Sequence, residues 1–384
     1  MDAFWDLLSV YGGYGLTAFV VAVFATPLAM RVAQRFGVMD FPDTFLKPHA
    51  KPTPYLGGAA ICLAWTLALI VGLARGIVDW PLLLPVLLGG VAISIMGLVD
   101  DIRGIAPKWR LIIGAVIVAA VLITTGAGGR LVEAMLGQFG FSVPGFLAVP
   151  ASVVISLLIV LGACNSANLI DGLDGLCSGV TAIISLGFFL LASHLALWGY
   201  SQSGDPLRLL LAIAMCGAAI GFLPWNFNPA RIFMGDAGSV LLGYNCGLLI
   251  VLFAEQAILR WVIAALMIFA LPIFDTALAM FRRWRSGRSI FEGDRSHFYD
   301  QLVHRGLSVR QTVLISYGLT MLYVGAGLLM MWVRPSGPVI RTRYAVPLYV
   351  AVCVLTALVA YLTGLTHPEE RPAPRPAAPP KSES

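Results

Sequence analysis

Apolar runs of roughly 17–25 residues, the length that carries an α-helix across a bilayer, recur along almost the whole of this 384-residue chain. Eleven can be counted, at about 11–32, 57–75, 80–99, 110–127, 148–166, 178–199, 208–225, 239–254, 258–281, 312–333 and 343–364. Several carry Gly or Pro, which membrane bundles tolerate better than soluble helices do. Only 12% of residues are charged against 59% hydrophobic, about half the charge of an ordinary soluble domain. The expectation is an all-α polytopic membrane protein with about 11 transmembrane helices (10–11), forming one integral-membrane unit over residues 1–366. Met1–Val10 has no basic segment of the kind that opens a cleaved signal peptide, so the first run reads as a retained span. The segment 367–384, "HPEERPAPRPAAPPKSES", is too poor in apolar side chains to fold and reads as a disordered tail.

Charge sets the expected orientation. With the N-terminus outside, the inner segments hold 18 Lys and Arg and the outer ones 7, so the positive-inside rule places the N-terminus outside and the C-terminus in the cytoplasm. A net charge of +5 then reads as anchoring to anionic lipid head groups in the cytoplasmic (inner) membrane, with no nucleic acid as partner. The six cysteines lie in or beside the spans without metal-type spacing and read as reduced, buried thiols.

In that topology the acidic and amide groups gather on one side. Asp100 and Asp101 ("GLVDD") end the third span. Asn165, Asn168, Asp171 and Asp174 ("NSANLIDGLDGL") occupy the turn after the fifth, and Asp236 ("FMGDAGS") opens the eighth. Asp275 ("PIFDT") lies inside the ninth, and His297 and Asp300 follow in a basic loop. Five inner loops carry such groups and the outer loops are expected to carry none.

Charged groups at membrane depth cost free energy and usually have a use. Adjacent carboxylates repel unless a cation sits beside them, and Mg²⁺ is typically held by one or two carboxylates together with substrate phosphates. The glycines of "DGLDG" and "GDAGS" let backbone amides approach an anion, as helix N-termini also do. Together these describe a site for a metal and a diphosphate. Each group alone has a plainer use: Asp236 as a helix cap, Asp100–Asp101 as a solvated helix end, Asp275 as a bond to a neighbouring helix, Lys51 as ordinary loop charge. His194 and His367 have no motif around them.

The ordered set "KPTPYLGG", "GLVDD", "NSANLIDGLDGL", "FMGDAGS", "PIFDT" and "GDRSH", from about Lys51 to Gly306, resembles the polyprenyl-phosphate N-acetylhexosamine-1-phosphate transferases, on the WecA and TagO branch with MraY more distant. The resemblance implies transfer of a sugar 1-phosphate, GlcNAc-1-phosphate first, from a UDP-N-acetylhexosamine to a polyprenyl phosphate such as undecaprenyl phosphate. The site would lie at the cytoplasmic face, release UMP and start a cell-envelope glycan. It implies Mg²⁺, with Mn²⁺ as a substitute, and leaves a homodimer open. By motif position it implies catalytic roles for Asp100, Asp101, Asp171 and Asp174. It implies substrate binding by Lys51, Asn165, Asn168, Asp275, Arg295 and His297, and metal ligation by Asp100, Asn168, Asp171 and Asp236. One departure stands out. Where the family shows a run of histidines this chain reads "HFYDQLVHR", keeping His297 with His304 seven residues on, which argues against a MurNAc-pentapeptide donor. That transferase is the alternative within the class. A secondary transporter would place its carboxylates near the midplane, often with inverted repeats, and an inactive scaffold would not need the acidic motifs.

Overall fold

The computed structural model describes residues 2–41, 52–197, 205–287, 297–331, 333–334, 337–338 and 342–366. Lys51, Arg295 and the segment 367–384 lie outside the described residues. Fourteen helices are seen among them: α1 (Asp2–Phe36), α2 (Gly57–Ala74), α3 (Trp80–Arg103), α4 (Pro107–Thr125), α5 (Leu131–Gly137), α6 (Gly145–Leu169), α7 (Leu176–Leu197), α8 (Asp205–Asn226), α9 (Gly235–Leu252), α10 (Leu259–Ile268), α11 (Ala270–Arg285), α12 (Phe298–His304), α13 (Val309–Met331) and α14 (Thr342–Leu362). Ten are long and apolar enough to span a membrane, or eleven if the bent pair α10–α11 counts as one span. Each expected apolar run falls on one of these spans. The outward faces carry large apolar side chains such as Phe24, Phe146 and Leu362 in the open, which suits a surface solvated by lipid rather than water. The described cysteines are all free thiols.

The ninth run departs from expectation. It is no continuous helix but bends by 74° between α10 and α11. Pro272 in the first turn of α11 has no N–H for the Ile268 carbonyl, and its ring excludes a carbonyl four residues back, so an unbroken ladder through Phe269 is not available. Beyond the bend α11, with Asp275, packs against α6 and α13.

Helix α9 is the hub and is almost entirely buried. Lipid gives no hydrophobic drive between helices, so close backbone approach and internal hydrogen bonds must hold them. A Cβ on Gly58 of α2 would collide with the Gly238 backbone, and one on Gly97 of α3 would lie 2.6 Å from the Ala237 nitrogen. Trp65 Nε1 donates to Asn245 Oδ1 at 3.2 Å and Tyr244 OH to the Val86 carbonyl at 3.0 Å, tying α2 and α3 to α9. A small antiparallel pair, β1 (Met39–Asp40) with β2 (Thr53–Pro54), leads into α2. Its neighbours fix the entrance to α9: Phe233 N–H donates to the Pro54 carbonyl at 2.9 Å, and Gly58 N–H to the Met234 carbonyl at 2.8 Å. A second pair, β3 (Val333–Arg334) with β4 (Gly337–Pro338), lies between α13 and α14.

The end of the bundle opposite the α9 N-terminus also carries buried charge, contrary to expectation. Arg208, fully buried, donates to Asp205 Oδ1 at 2.9 Å and to the Leu252 carbonyl at 2.9 Å, and lies over the Phe253 ring. These contacts bind α8 to the C-terminus of α9. Asp205 and Arg208 share one helix turn, and Glu255 Oε2 stands 3.8 Å from Arg208 Nη1, so the charges there compensate one another.

Candidate active site

The N-terminus of α9 is where the sequence motifs meet. Asp101, at the end of α3, accepts hydrogen bonds from the backbone N–H groups of Asp236 at 2.8 Å and Ala237 at 3.1 Å. It caps a helix distant in sequence, where the helix dipole favours a carboxylate. Gly235 has φ +68° and its Cα faces that carboxylate, so a side chain there would be excluded twice over. Asp100 accepts from the Ile105 N–H at 2.6 Å and from Arg110 Nη1 at 3.1 Å. The same Arg110 nitrogen donates to Asp236 Oδ2 at 2.8 Å. Asp236 Oδ1 accepts from Asn168 Nδ2 at 2.7 Å, and that amide also donates to Ser239 Oγ at 3.1 Å. Four helices, α3, α4, α6 and α9, thus deliver one network of three carboxylates, an arginine and an amide.

The turn 170–175 stands beside it. Asp174 accepts from Asn228 Nδ2 and from the Ala230 N–H, both at 2.9 Å, and so holds the 228–230 loop. Gly175 has φ +82°, which lets the chain reverse into α7. Asp171 differs from the rest, since its carboxylate accepts no hydrogen bond among the described residues. Burial first, and then the charges of Asp236, Asp101 and Asp174, push its carboxyl well above the usual carboxylate range.

Asp275 and His297 form a second cluster. His297 Nδ1 lies 2.7 Å from Asp275 Oδ2, and the Phe298 N–H donates to Asp275 Oδ1 at 3.0 Å. Burial alone would lower the His297 imidazole, but the Asp275 charge and hydrogen bond, helped by Asp300, outweigh it and raise the pKa despite Arg282 nearby. Asn165 points elsewhere. Its amide donates to the Leu161 carbonyl at 2.8 Å, and the residue lines a cavity of about 750 Å³. That cavity runs between α3, α4, α6 and α11, walled by Ile93, Met96, Leu111, Leu161, Val240 and Met280, with Lys108, Arg110, Arg283 and Asn168 among its polar groups.

The sequence reading missed Arg110, counted only as a topological charge. Its position three residues after Pro107, in the first turn of the helix following Asp100–Asp101, was the available signal for Arg110. Among the described residues no three His, Cys, Asp or Glu side chains converge as a ready-made metal cage. The donor set still fits a hard cation. Asp171, whose carboxyl has no hydrogen-bond donor among the described residues, feels the charges of Asp236, Asp101 and Asp174, and a cation that keeps waters and takes substrate phosphates needs only one or two protein oxygens.

Residues 83–255 match the model of glycosyl transferase family 4. A decaprenyl-phosphate N-acetylglucosaminephosphotransferase of Mycolicibacterium smegmatis is 31% identical over 323 residues, covering 79% of this chain and 78% of its own. A probable undecaprenyl-phosphate N-acetylglucosaminyl 1-phosphate transferase of Bacillus subtilis is 34% identical over 316 residues, covering 79% and 81%. A phospho-N-acetylmuramoyl-pentapeptide-transferase of Desulfotalea psychrophila is 29% identical over 320 residues, covering 75% and 84%. The family match contains the whole network around Asp236 and the Asp171 turn. The chain belongs to glycosyl transferase family 4, in its branch of polyprenyl-phosphate N-acetylhexosamine-1-phosphate transferases, and is a multi-pass membrane enzyme that transfers a sugar 1-phosphate to a polyprenyl phosphate.

Proposed function

We propose that the protein transfers GlcNAc-1-phosphate from UDP-GlcNAc to a polyprenyl phosphate at the cytoplasmic face of the inner membrane, with Mg²⁺, and releases UMP. One observation carries the reading: the Arg110–Asp100–Asp236–Asn168 network opens onto an apolar cavity of about 750 Å³ that Lys108 and Arg283 also line. A lipid phosphate has that same division, an apolar chain and one anionic end. The excess of Lys and Arg at this end of the bundle supports the cytoplasmic assignment. The choice of GlcNAc rests on the activities of the Mycolicibacterium and Bacillus relatives, and the absence of a histidine run after His297 argues against a MurNAc-pentapeptide donor.

The reaction is phosphoryl transfer. An oxygen of the lipid phosphate forms a bond to the sugar-bearing phosphorus of the donor while the bond to the UMP oxygen breaks, and UMP leaves with that electron pair. A phosphate monoester has a second pKa near ~6, so the attacking group is already largely dianionic at neutral pH. A strong general base is therefore not required. That agrees with Asp100 and Asp101, whose oxygens are engaged by the Ile105 amide, Arg110 and the α9 amides. Their work is to fix Arg110 and the α9 N-terminus where charge develops. Asp171 would hold Mg²⁺, with Asp236 and the Asn168 carbonyl oxygen beside it, and the ion would neutralise charge on the diphosphate. His297, hydrogen-bonded to Asp275, would face the donor. Asp174 acts through the 228–230 loop, as a positioning group.

A donor screen tests the assignment. UMP release from UDP-GlcNAc, with UDP-GalNAc and UDP-MurNAc-pentapeptide at background, is the expected result. Preference for UDP-MurNAc-pentapeptide would overturn the donor and leave the reaction class intact.

A further inference from the structure

The turn that carries Asp171 is held from outside by two tyrosines. Tyr299 OH of α12 donates to the Leu169 carbonyl, the last of α6, at 2.7 Å. Tyr317 OH of α13 donates to the Gly175 carbonyl, just before α7, at 2.5 Å. The two ends of the turn are thereby tied to two helices that contribute no carboxylate to the Asp236 network. Each tyrosine also fills space vacated by a glycine. A Cβ on Gly172 would strike the Tyr299 ring and hydroxyl, and one on Gly179 those of Tyr317. Gly172 is not at positive φ, so the ring, not the backbone, requires a glycine there.

Tyr299 makes a further contact. Its ring stacks on the His297 imidazole, centroids 5.3 Å apart and planes within 5°. A continuous line of contacts therefore runs from Asp275 through His297 and Tyr299 to the turn at Leu169 and Gly172, one residue from Asp171.

We propose that Tyr299 and Tyr317 are positioning residues that clamp the Asp171 turn at both ends, and that Tyr299 fixes the placement of His297 relative to that turn. Resting on the transferase reading, this deepens it: the turn of Asp171, which would hold Mg²⁺, and His297, which would face the donor, are held in one geometry by a single ring. Neither hydroxyl serves as acid or base, because each donates its proton to a carbonyl.

The test compares Tyr299→Phe, Tyr317→Phe and Tyr299→Leu in the full-length protein. The phenylalanines keep the rings against Gly172 and Gly179 and remove only the hydroxyl bond. Amide hydrogen exchange without substrate should rise at 170–176 by about fivefold or more in both phenylalanine variants, with 57–74 and 205–226 as in wild type. Tyr299→Leu, which also loses the stack, should raise exchange at 170–176 and at 297–304 together. In turnover, Tyr299→Phe should lower kcat and raise the Mg²⁺ concentration for half-maximal rate, with the donor KM within about twofold, whereas Tyr299→Leu should raise the donor KM as well. Wild-type exchange at 170–176 in both phenylalanine variants would overturn the clamp. A uniform rise across the chain would do so too, by showing a merely structural role. Wild-type exchange at 297–304 in Tyr299→Leu would overturn the link to His297. Should wild-type protein release no UMP from any hexosamine donor, the transferase reading fails, and the exchange pattern still decides the clamp.

Discussion

Arg110 Nη1 stands 2.8 Å from Asp236 Oδ2 although 126 residues separate the two in sequence. The same nitrogen reaches Asp100, so one guanidinium neutralises carboxylates from two helices at the mouth of the apolar cavity. Arg110→Ala leaves both without that partner, a loss of about 1–3 kcal/mol of charge-assisted bonding and an expected ~100-fold fall in turnover. Arg110→Lys should recover part of it, as a point charge without the planar fork. Activity of Arg110→Ala within threefold of wild type would contradict the assigned role.

Asp171 is the carboxylate of the site that no described donor satisfies. Asp171→Asn removes its repulsion with Asp236, Asp101 and Asp174, so without divalent ions the variant should melt above wild type, by a few degrees. Saturating Mg²⁺ should raise the wild-type Tm, as binding to the native state must, and leave the variant unmoved. Turnover of the variant should fall by ~1,000-fold. An equal Mg²⁺-induced Tm shift in both proteins would show that Asp171 is not where the ion binds.

Gly114 lines the cavity, and a Cβ added there would meet Leu161 at 3.4 Å and Ile93 and Met96 at 4.0 Å. A methyl group is tolerated; a longer side chain enters the cavity itself. Gly114→Leu should raise the KM for polyprenyl phosphate by ~10-fold with the KM for UDP-GlcNAc unchanged. A change in donor KM alone would move the acceptor elsewhere.

The His297–Asp275 contact gives stability a pH dependence of definite sign. The His297 pKa is raised in the fold above an unfolded value of about 6.5. The charged pair therefore contributes in full below about pH 6.5, and its contribution is lost as pH rises through the folded pKa. His297→Gln can still donate to Asp275 but does not titrate. The Tm advantage of wild type over this variant should be largest near pH 6 and shrink on the alkaline side. A difference constant from pH 6 to 9 would show that folding leaves the His297 pKa unshifted.

The sequence foreshadowed much of this because lipid imposes strong constraints. Ten of the eleven apolar runs became helices long enough to cross a membrane and the ninth a bent pair, and the acidic motifs came together because most of them end or begin helices at one end of the bundle. What stayed hidden depends on contacts between distant residues. No local pattern marks Asp101 as the cap of α9, or distinguishes Arg110 from the other basic residues at span ends. The break before α11 is concealed in a continuously apolar run, with Pro272 its one local sign. Tyr299 and Tyr317 act through backbone carbonyls, which leave no trace in the partner's side chains beyond Gly172 and Gly179. The Arg208–Asp205 pair breaks the expected one-sidedness from within α8, where no loop motif marks it.

The most direct test of the account is UMP release from UDP-GlcNAc by the purified protein, measured with and without undecaprenyl phosphate and with and without Mg²⁺. Release is expected only when lipid phosphate and Mg²⁺ are both present. Release independent of the lipid, or none from folded protein with any UDP-N-acetylhexosamine, would contradict it.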